Sequence, residues 1–95
     1  MKKKFVYEFD DASGGRSLSF NMDVVSPARI QLRLDSKEGF SFIANSEGWL
    51  HMARICAEMG LGDFETGFHF HLDASFDTSP GPPEFTFVRD NRPTF

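Results

Sequence analysis

The stretch 40–62, FSFIANSEGWLHMARICAEMGLG, decides the fold because its apolar residues change spacing partway along. At its start Phe40, Phe42 and Ala44 occupy alternate positions, which is the pattern of a half-buried β-strand. From Asn45 onward the apolar residues instead recur with the spacing of an α-helix. The sequence therefore predicts a strand followed directly by a helix.

The helix has sequence signals at both ends. Asn45 or Ser46 suits the N-cap, where a side-chain oxygen accepts an unpaired backbone N–H. Gly60 and Gly62 suit the C-terminal end, where glycine adopts the conformations that stop a helix. An apolar stripe at about 100° per residue is expected to face the sheet. The stripe comprises Trp49, Leu50, Ala53, Cys56 and Ala57.

Alternating apolar and polar residues also predict strands on both sides of this stretch. Most of these segments carry Phe, which favours strands and supplies much apolar area per residue. The predicted strands are Lys4–Phe9, Leu18–Val24, Ile30–Leu34, Thr66–Asp73 and Glu84–Val88.

The fold class expected from this order is α+β, with one domain over residues 1–95 and the element order β-β-β-β-α-β-β. One-sided alternation is typical of an antiparallel sheet with one solvated face, so we predict five or six strands with one α-helix packed on one face. Six strands span roughly 24–29 Å, whereas a helix is only about 10–12 Å wide. Strong sheet curvature, a long loop or a second chain must cover the rest, and a loop is predicted at Asp77–Pro83.

Charge and composition exclude several classes of function. A net charge of −4 and a pI near 5.2 argue against nucleic acid as a partner, because phosphates require a basic patch. A single cysteine excludes an intramolecular disulfide and a cysteine-rich zinc site. No stretch reaches the roughly 20 apolar residues of a membrane helix, and no apolar segment follows Met1–Lys4 as in a signal peptide. The cytoplasm is the expected location.

His69, His71 and Asp73 are the most informative polar residues because they occupy alternate positions of one predicted strand and share a face. Three interpretations stay open: an ordinary solvated sheet face, a contact with a partner, or a metal site. Arg29 and Arg33 lie on the polar face of another predicted strand and are candidate partner contacts, on the same sheet face as the histidines if the strand register places them there.

The helix carries a second candidate surface. Met52, Ile55 and Met59 widen its apolar side beyond what one sheet contact needs. Either the loop Asp77–Pro83 or the C-terminal tail packs over them, or they form an interface, including that of a homodimer. Cys56 is expected to pack in the core rather than act as a nucleophile, and no cofactor is expected.

The stretch from Phe40 to Val88 resembles immunity protein family thirty-two, which is found beside bacterial polymorphic toxins. The matching features are Ala44-Asn45-Ser46-Glu47-Gly48 leading into a helix, the strand Gly67–Asp73, the loop Ser79-Pro80-Gly81 and a final apolar strand. The resemblance implies a protein that binds a cognate toxin and neutralises it by occlusion, not an enzyme. A metal-binding module or small metal-dependent enzyme using the histidine strand is the alternative, and a structural homodimer is a third.

Overall fold

The structure is a computed structural model that describes residues 1–20, 27–35, 37, 39–72, 75–77 and 85–94. Its elements, after a short 3₁₀ turn at Ser13–Gly15, are β1 (Ile30–Asp35), β2 (Gly39–Ala44), α1 (Ser46–Leu61), β3 (His69–Leu72), β4 (Ser75–Asp77) and β5 (Phe85–Val88).

Strands β1, β2 and β4 form a three-stranded sheet in the order β2-β1-β4. β1 and β2 are antiparallel, with Ile30 opposite Ala44, and Gly39 at the start of β2 has a φ of 83°. β1 and β4 are parallel. Along β1, Ile30 and Leu32 are buried whereas Arg33 is exposed, so the predicted alternation of this strand is confirmed.

Strands β3 and β5 form a separate, antiparallel two-stranded sheet. Phe70 lies opposite Phe87, and the two rings stack with their centroids 5.1 Å apart. Phe70 is buried in the main core cluster together with Ile30, Met52 and Ile55. The two sheets therefore contribute to one core, although they are not joined edge to edge in the described residues.

The prediction of an α+β fold with a helix is confirmed, but the single sheet of five or six strands is wrong. The described strands divide between two small sheets, and one pairing is parallel. The strand predicted at Lys4–Phe9 is irregular backbone, as are residues 18–20 of the strand predicted at Leu18–Val24. Residues 21–24 lie outside the described part of the chain. In residues 4–9 and 18–20, alternation gives an apolar side, but a strand also requires a pairing edge.

The segment after the helix also departs from its prediction. The strand expected at Thr66–Asp73 begins only at His69, because Gly67, with a φ of 95°, lies in a turn. That turn is closed by the backbone N–H of Phe68 donating to the carbonyl of Glu65 at 3.1 Å. Asp77, placed by prediction in a loop, ends β4, and residues 78–83 of that loop lie outside the described residues.

Asn45, one of the two predicted N-cap residues, caps helix α1, and its side chain joins three segments. Its Oδ1 accepts the backbone N–H of Gly48 at 2.8 Å and that of Arg29 at 2.9 Å. Its Nδ2 donates to the carbonyl of Pro27 at 2.8 Å. One residue thus caps the helix and fixes it against the start of β1.

The C-terminal end of α1 is held by a cation from the last part of the chain. Nη1 of Arg89 donates to the carbonyls of Met59, at 2.9 Å, and Gly62, at 2.7 Å. A positive charge beside these carbonyls suits the negative end of the helix dipole. The segment after β5, which begins at Arg89, is therefore part of the fold.

The buried face of α1 is not the predicted apolar stripe. Trp49 is 53% exposed and Cys56 is exposed, so the prediction that they pack in the core is wrong. Trp49 instead lies against Phe42 at the protein surface, with ring centroids 4.8 Å apart. The residues that α1 buries are Gly48, His51, Met52, Ile55 and Glu58.

Residues 1–20, here called the N-terminal strap, lie across the helix and explain why it buries polar groups. Glu58 is 1% exposed, and its carboxylate accepts the hydroxyl of Tyr7 at 2.6 Å and the backbone N–H of Ser19 at 2.7 Å. Leu18 and Phe20 of the strap pack against the core cluster. The strap therefore covers part of the apolar surface that the helix and small sheets leave uncovered.

Within the described part of the chain, the helix is neither long nor apolar enough to cross a bilayer.

Candidate partner-binding site

The face of β3 and β5 that points away from the core brings together both strand histidines. Because strand residues alternate, the burial of Phe70 and Phe87 sends His69 and His71 to the opposite side. The register places Val88 across from His69 and Thr86 across from His71. We call these four residues, His69, His71, Thr86 and Val88, the histidine face, and all four are exposed.

Local hydrogen bonds orient both imidazoles on this face. Nδ1 of His69 lies 3.0 Å from the carbonyl oxygen of Gly67, and a carbonyl only accepts, so this nitrogen carries the proton. Nδ1 of His71 lies 3.1 Å from Oγ1 of Thr86. The two rings meet edge to face with centroids 5.5 Å apart. Beside them Val88 is 60% exposed, so the face combines oriented polar groups with an apolar contact.

The third residue of the predicted histidine strand, Asp73, lies outside the described residues. Among the residues that the structure describes, no three His, Cys, Asp or Glu side chains lie close enough together to hold a metal ion. The metal-dependent alternative therefore gains no supporting geometry from this part of the chain.

Arg29 and Arg33 do not share a sheet with the histidines, because the single predicted sheet is two sheets. Arg29 precedes β1, where its backbone is bonded to Asn45, and Arg33 lies within β1 on the side opposite Ile30 and Leu32. Both arginines are exposed. The expectation that they extend the same sheet face as the histidines is wrong.

The apolar residues suggested as an interface lie inside the protein. Met52 is 7% exposed and Ile55 is fully buried, and both belong to the core cluster. Met59 is partly buried and packs against that cluster. The segments expected to cover them were the loop Asp77–Pro83, of which residues 78–83 lie outside the described residues, and the C-terminal tail. In the described residues, Leu18 and Phe20 of the strap pack against the same cluster.

Sequence reasoning missed a cleft that lies beside the histidine face. It forms where the strap meets the segment between α1 and β3, and it has a volume of about 630 Å³. One wall is Ser13, Gly14 and Arg16, and the other is residues 63–69. Because its walls are about fifty residues apart in sequence, no local pattern could have indicated it.

The lining of the cleft includes charges of both signs and an aromatic pair. Nη2 of Arg16 lies 3.3 Å from Oε2 of Glu65, and these side chains are 78% and 82% exposed. Asp63 supplies a second carboxylate. Phe64 and Phe68 stack almost parallel with centroids 4.0 Å apart, and Phe64 is 4% exposed. We call this feature the ion-pair cleft.

The strap is anchored at the rim of the ion-pair cleft. The backbone N–H of Asp63 donates to Oγ of Ser13 at 3.1 Å, and Oδ1 of Asp11 accepts the backbone N–H of Ser13 at 2.8 Å. Hydrogen bonds from the side chain and backbone of Ser13 lower the pKa of the Asp11 carboxyl below its usual range. The carboxylate form of Asp11 thus stabilises the 3₁₀ turn that forms one wall of the cleft.

Comparison with family models, curated proteins and solved structures finds no match for this chain.

Proposed function

We propose that this chain is a binding protein that neutralises a cognate bacterial protein toxin by stoichiometric occlusion, without catalysis and without a cofactor. The resemblance of Phe40–Val88 to immunity protein family thirty-two motivates the proposal. The supporting observation is the histidine face, which lies within that segment and presents oriented imidazoles beside an exposed valine.

The chemistry of the histidine face suits recognition of another protein. His69 and His71 are held by their own sheet, so little side-chain entropy is lost when a partner docks. Val88 offers apolar area that a partner can remove from water. An ordinary interface of about 800 Å² per partner would extend beyond these residues to the neighbouring surface.

The charge of the chain favours a basic partner. A net charge of −4 attracts a protein whose functional groove is positive, and such attraction raises the rate of association. Toxins that act on nucleic acids have grooves of this kind, because they must bind phosphates. The proposed place of action is the cytoplasm, where such a substrate is found.

The direct test is to coexpress this chain with any toxin-like reading frame that lies beside its gene, and a metabolic operon without such a frame would count against the proposal. We expect growth to be restored and a 1:1 complex to elute from a sizing column, with its mass measured by light scattering. Toxicity that persists at equal expression would overturn the proposal. Protection at substoichiometric amounts would also overturn it, because occlusion consumes one molecule for each toxin.

A further inference from the structure

The ion-pair cleft adjoins the proposed docking surface. His69 belongs to both the histidine face and the wall of the cleft, so a partner on that face reaches the opening of the cleft. Its volume of about 630 Å³ lies within the roughly 300–1,000 Å³ of sites that hold small molecules and side chains.

The groups lining the cleft match a guanidinium. Asp63 and Glu65 provide two carboxylates, and the partly buried ring of Phe68, backed by the stacked ring of Phe64, provides an apolar wall for the alkyl part of an arginine. The chain itself already places one guanidinium here, because Arg16 contacts Glu65 at 3.3 Å. A guanidinium can therefore approach Glu65 at the edge of this cleft.

The resident guanidinium is held weakly. Both members of the Arg16–Glu65 pair are about four-fifths exposed, and pairs of this kind contribute little to stability. Arg16 also has a φ of 57°, a left-handed conformation that is unfavourable for a residue other than glycine. The backbone conformation of Arg16 belongs to the end of the 3₁₀ turn and is unchanged when its side chain leaves Glu65. The weak, exposed ion pair alone therefore lets Glu65 exchange Arg16 for a guanidinium from outside at small cost.

We propose that the ion-pair cleft receives an arginine side chain of the bound partner and that Arg16 is its built-in competitor. The inference rests on the proposed function for the identity of the partner as a basic protein. The cleft chemistry itself is tested without that partner.

The probe is N-acetyl-L-arginine amide, titrated into the isotopically labelled full chain and followed by NMR. We expect backbone amide shifts in residues 63–69. The control is the citrulline analogue, which has nearly the same shape without the charge, and it should cause much smaller shifts. Equal shifts from both compounds, or none from either, would overturn the inference.

Variants of the three charged residues should change the affinity for the arginine probe in opposite directions. Arg16→Gly removes the competitor and relieves the positive φ, so we expect binding of the arginine probe to tighten by about two- to fivefold, the range set by one exposed ion pair. Asp63→Asn and Glu65→Gln should each weaken it. Weaker binding by Arg16→Gly would contradict the role of Arg16 as a competitor.

The two proposals fail in different experiments. Binding of the arginine probe without binding of the neighbouring toxin would support the cleft and overturn the proposed function. Complex formation with the toxin, unaffected by Asp63→Asn and Glu65→Gln and without probe binding, would overturn the cleft alone.

Discussion

The two sides of helix α1 differ in burial, and the hydrophobicity of their residues does not indicate which side is buried. One side includes Trp49 and Cys56, and it is exposed. The other side includes Gly48 and Glu58, and it is buried. The difference teaches that neighbouring segments decide which face of a helix is buried, because they supply contacts for polar and small residues as well as for apolar ones.

Two contacts from distant parts of the chain determine this choice. Glu58 can be buried because, within the described residues, the strap supplies two hydrogen-bond donors to its carboxylate, Tyr7 and Ser19. Gly48 is buried because the helix approaches the start of β1 closely, and a methyl group there would meet the carbonyl oxygen of Arg29. Neither contact is visible in a pattern of local spacing.

The largest expected effect is a difference in the free energy of unfolding between a variant of Ile55 and a variant of its neighbour Cys56. Ile55→Ala creates a cavity in the core, and we expect it to lower the free energy of unfolding by about 2–5 kcal/mol. Cys56→Ala, on the exposed side, should change it by less than about 0.5 kcal/mol. Urea unfolding of both variants measures the difference. A larger loss of stability from Cys56→Ala than from Ile55→Ala would show that the apolar stripe predicted from hydrophobicity is the buried face.

Two glycines of the same helix should respond to alanine with opposite signs. Gly48→Ala places a Cβ against the Arg29 carbonyl and 2.9 Å from Cβ of Ala44, and we expect a loss of roughly 1–3 kcal/mol. A Cβ at Gly60 meets nothing within 4 Å, so Gly60→Ala should stabilise by up to about 1 kcal/mol, the helix propensity difference. Thermal unfolding checks both. A stabilising Gly48→Ala would contradict the close approach of α1 to β1.

The contact between the strap and Glu58 should affect the titration of Tyr7, and with it the stability of the fold, at alkaline pH. Burial, and then the neighbouring carboxylate of Glu58, raise the pKa of Tyr7 above its usual 10.0. The protonated phenol is thus favoured in the folded state, and its stabilising contribution is complete below pH 10 and lost as the pH rises through the raised pKa. Because the chain contains one tyrosine, absorbance at 295 nm follows Tyr7 alone.

We expect the midpoint of that titration to lie above pH 10 and to fall toward the ordinary value in Glu58→Gln. The free energy of unfolding of the unsubstituted chain should fall as the pH rises above 10. The matched Tyr7→Phe variant should not show this part of the fall. A midpoint at or below 10 in the unsubstituted chain would show that Tyr7 does not dock on Glu58.

The sequence correctly predicted those elements whose local pattern matches the contacts that they make in the fold. Alternation identified β1 and β2, and Asn45 identified the start of α1, because a cap needs only the helix that it begins. The exposure of His69 and His71 followed from alternation with Phe70. The strap was mistaken for strands because Phe5, Tyr7 and Phe9 alternate as strand residues do, although their backbone pairs with no strand in the described residues.

The remaining features depend on contacts between distant segments. The division into two sheets is set by which strands pair, and β4 pairs with β1 in parallel over only three residues, too few for a clear pattern. The ion-pair cleft requires Arg16 to meet Glu65, 49 residues later in the chain. Such pairings need the tertiary fold, which periodicity alone does not provide.

The most direct test of the central claim, that the histidine face docks the partner, compares two valines. Val88 on this face is 60% exposed and Val6 in the strap is 65% exposed, so arginine at either position costs little stability and adds the same charge. Calorimetric titration against the neighbouring toxin should show at least about a tenfold loss of affinity for Val88→Arg, as for a residue at the centre of an interface. Val6→Arg should change the affinity by less than about threefold, the effect of a charge remote from the contact. Equal losses from the two variants, or a larger loss from Val6→Arg, would contradict the assignment of the docking surface.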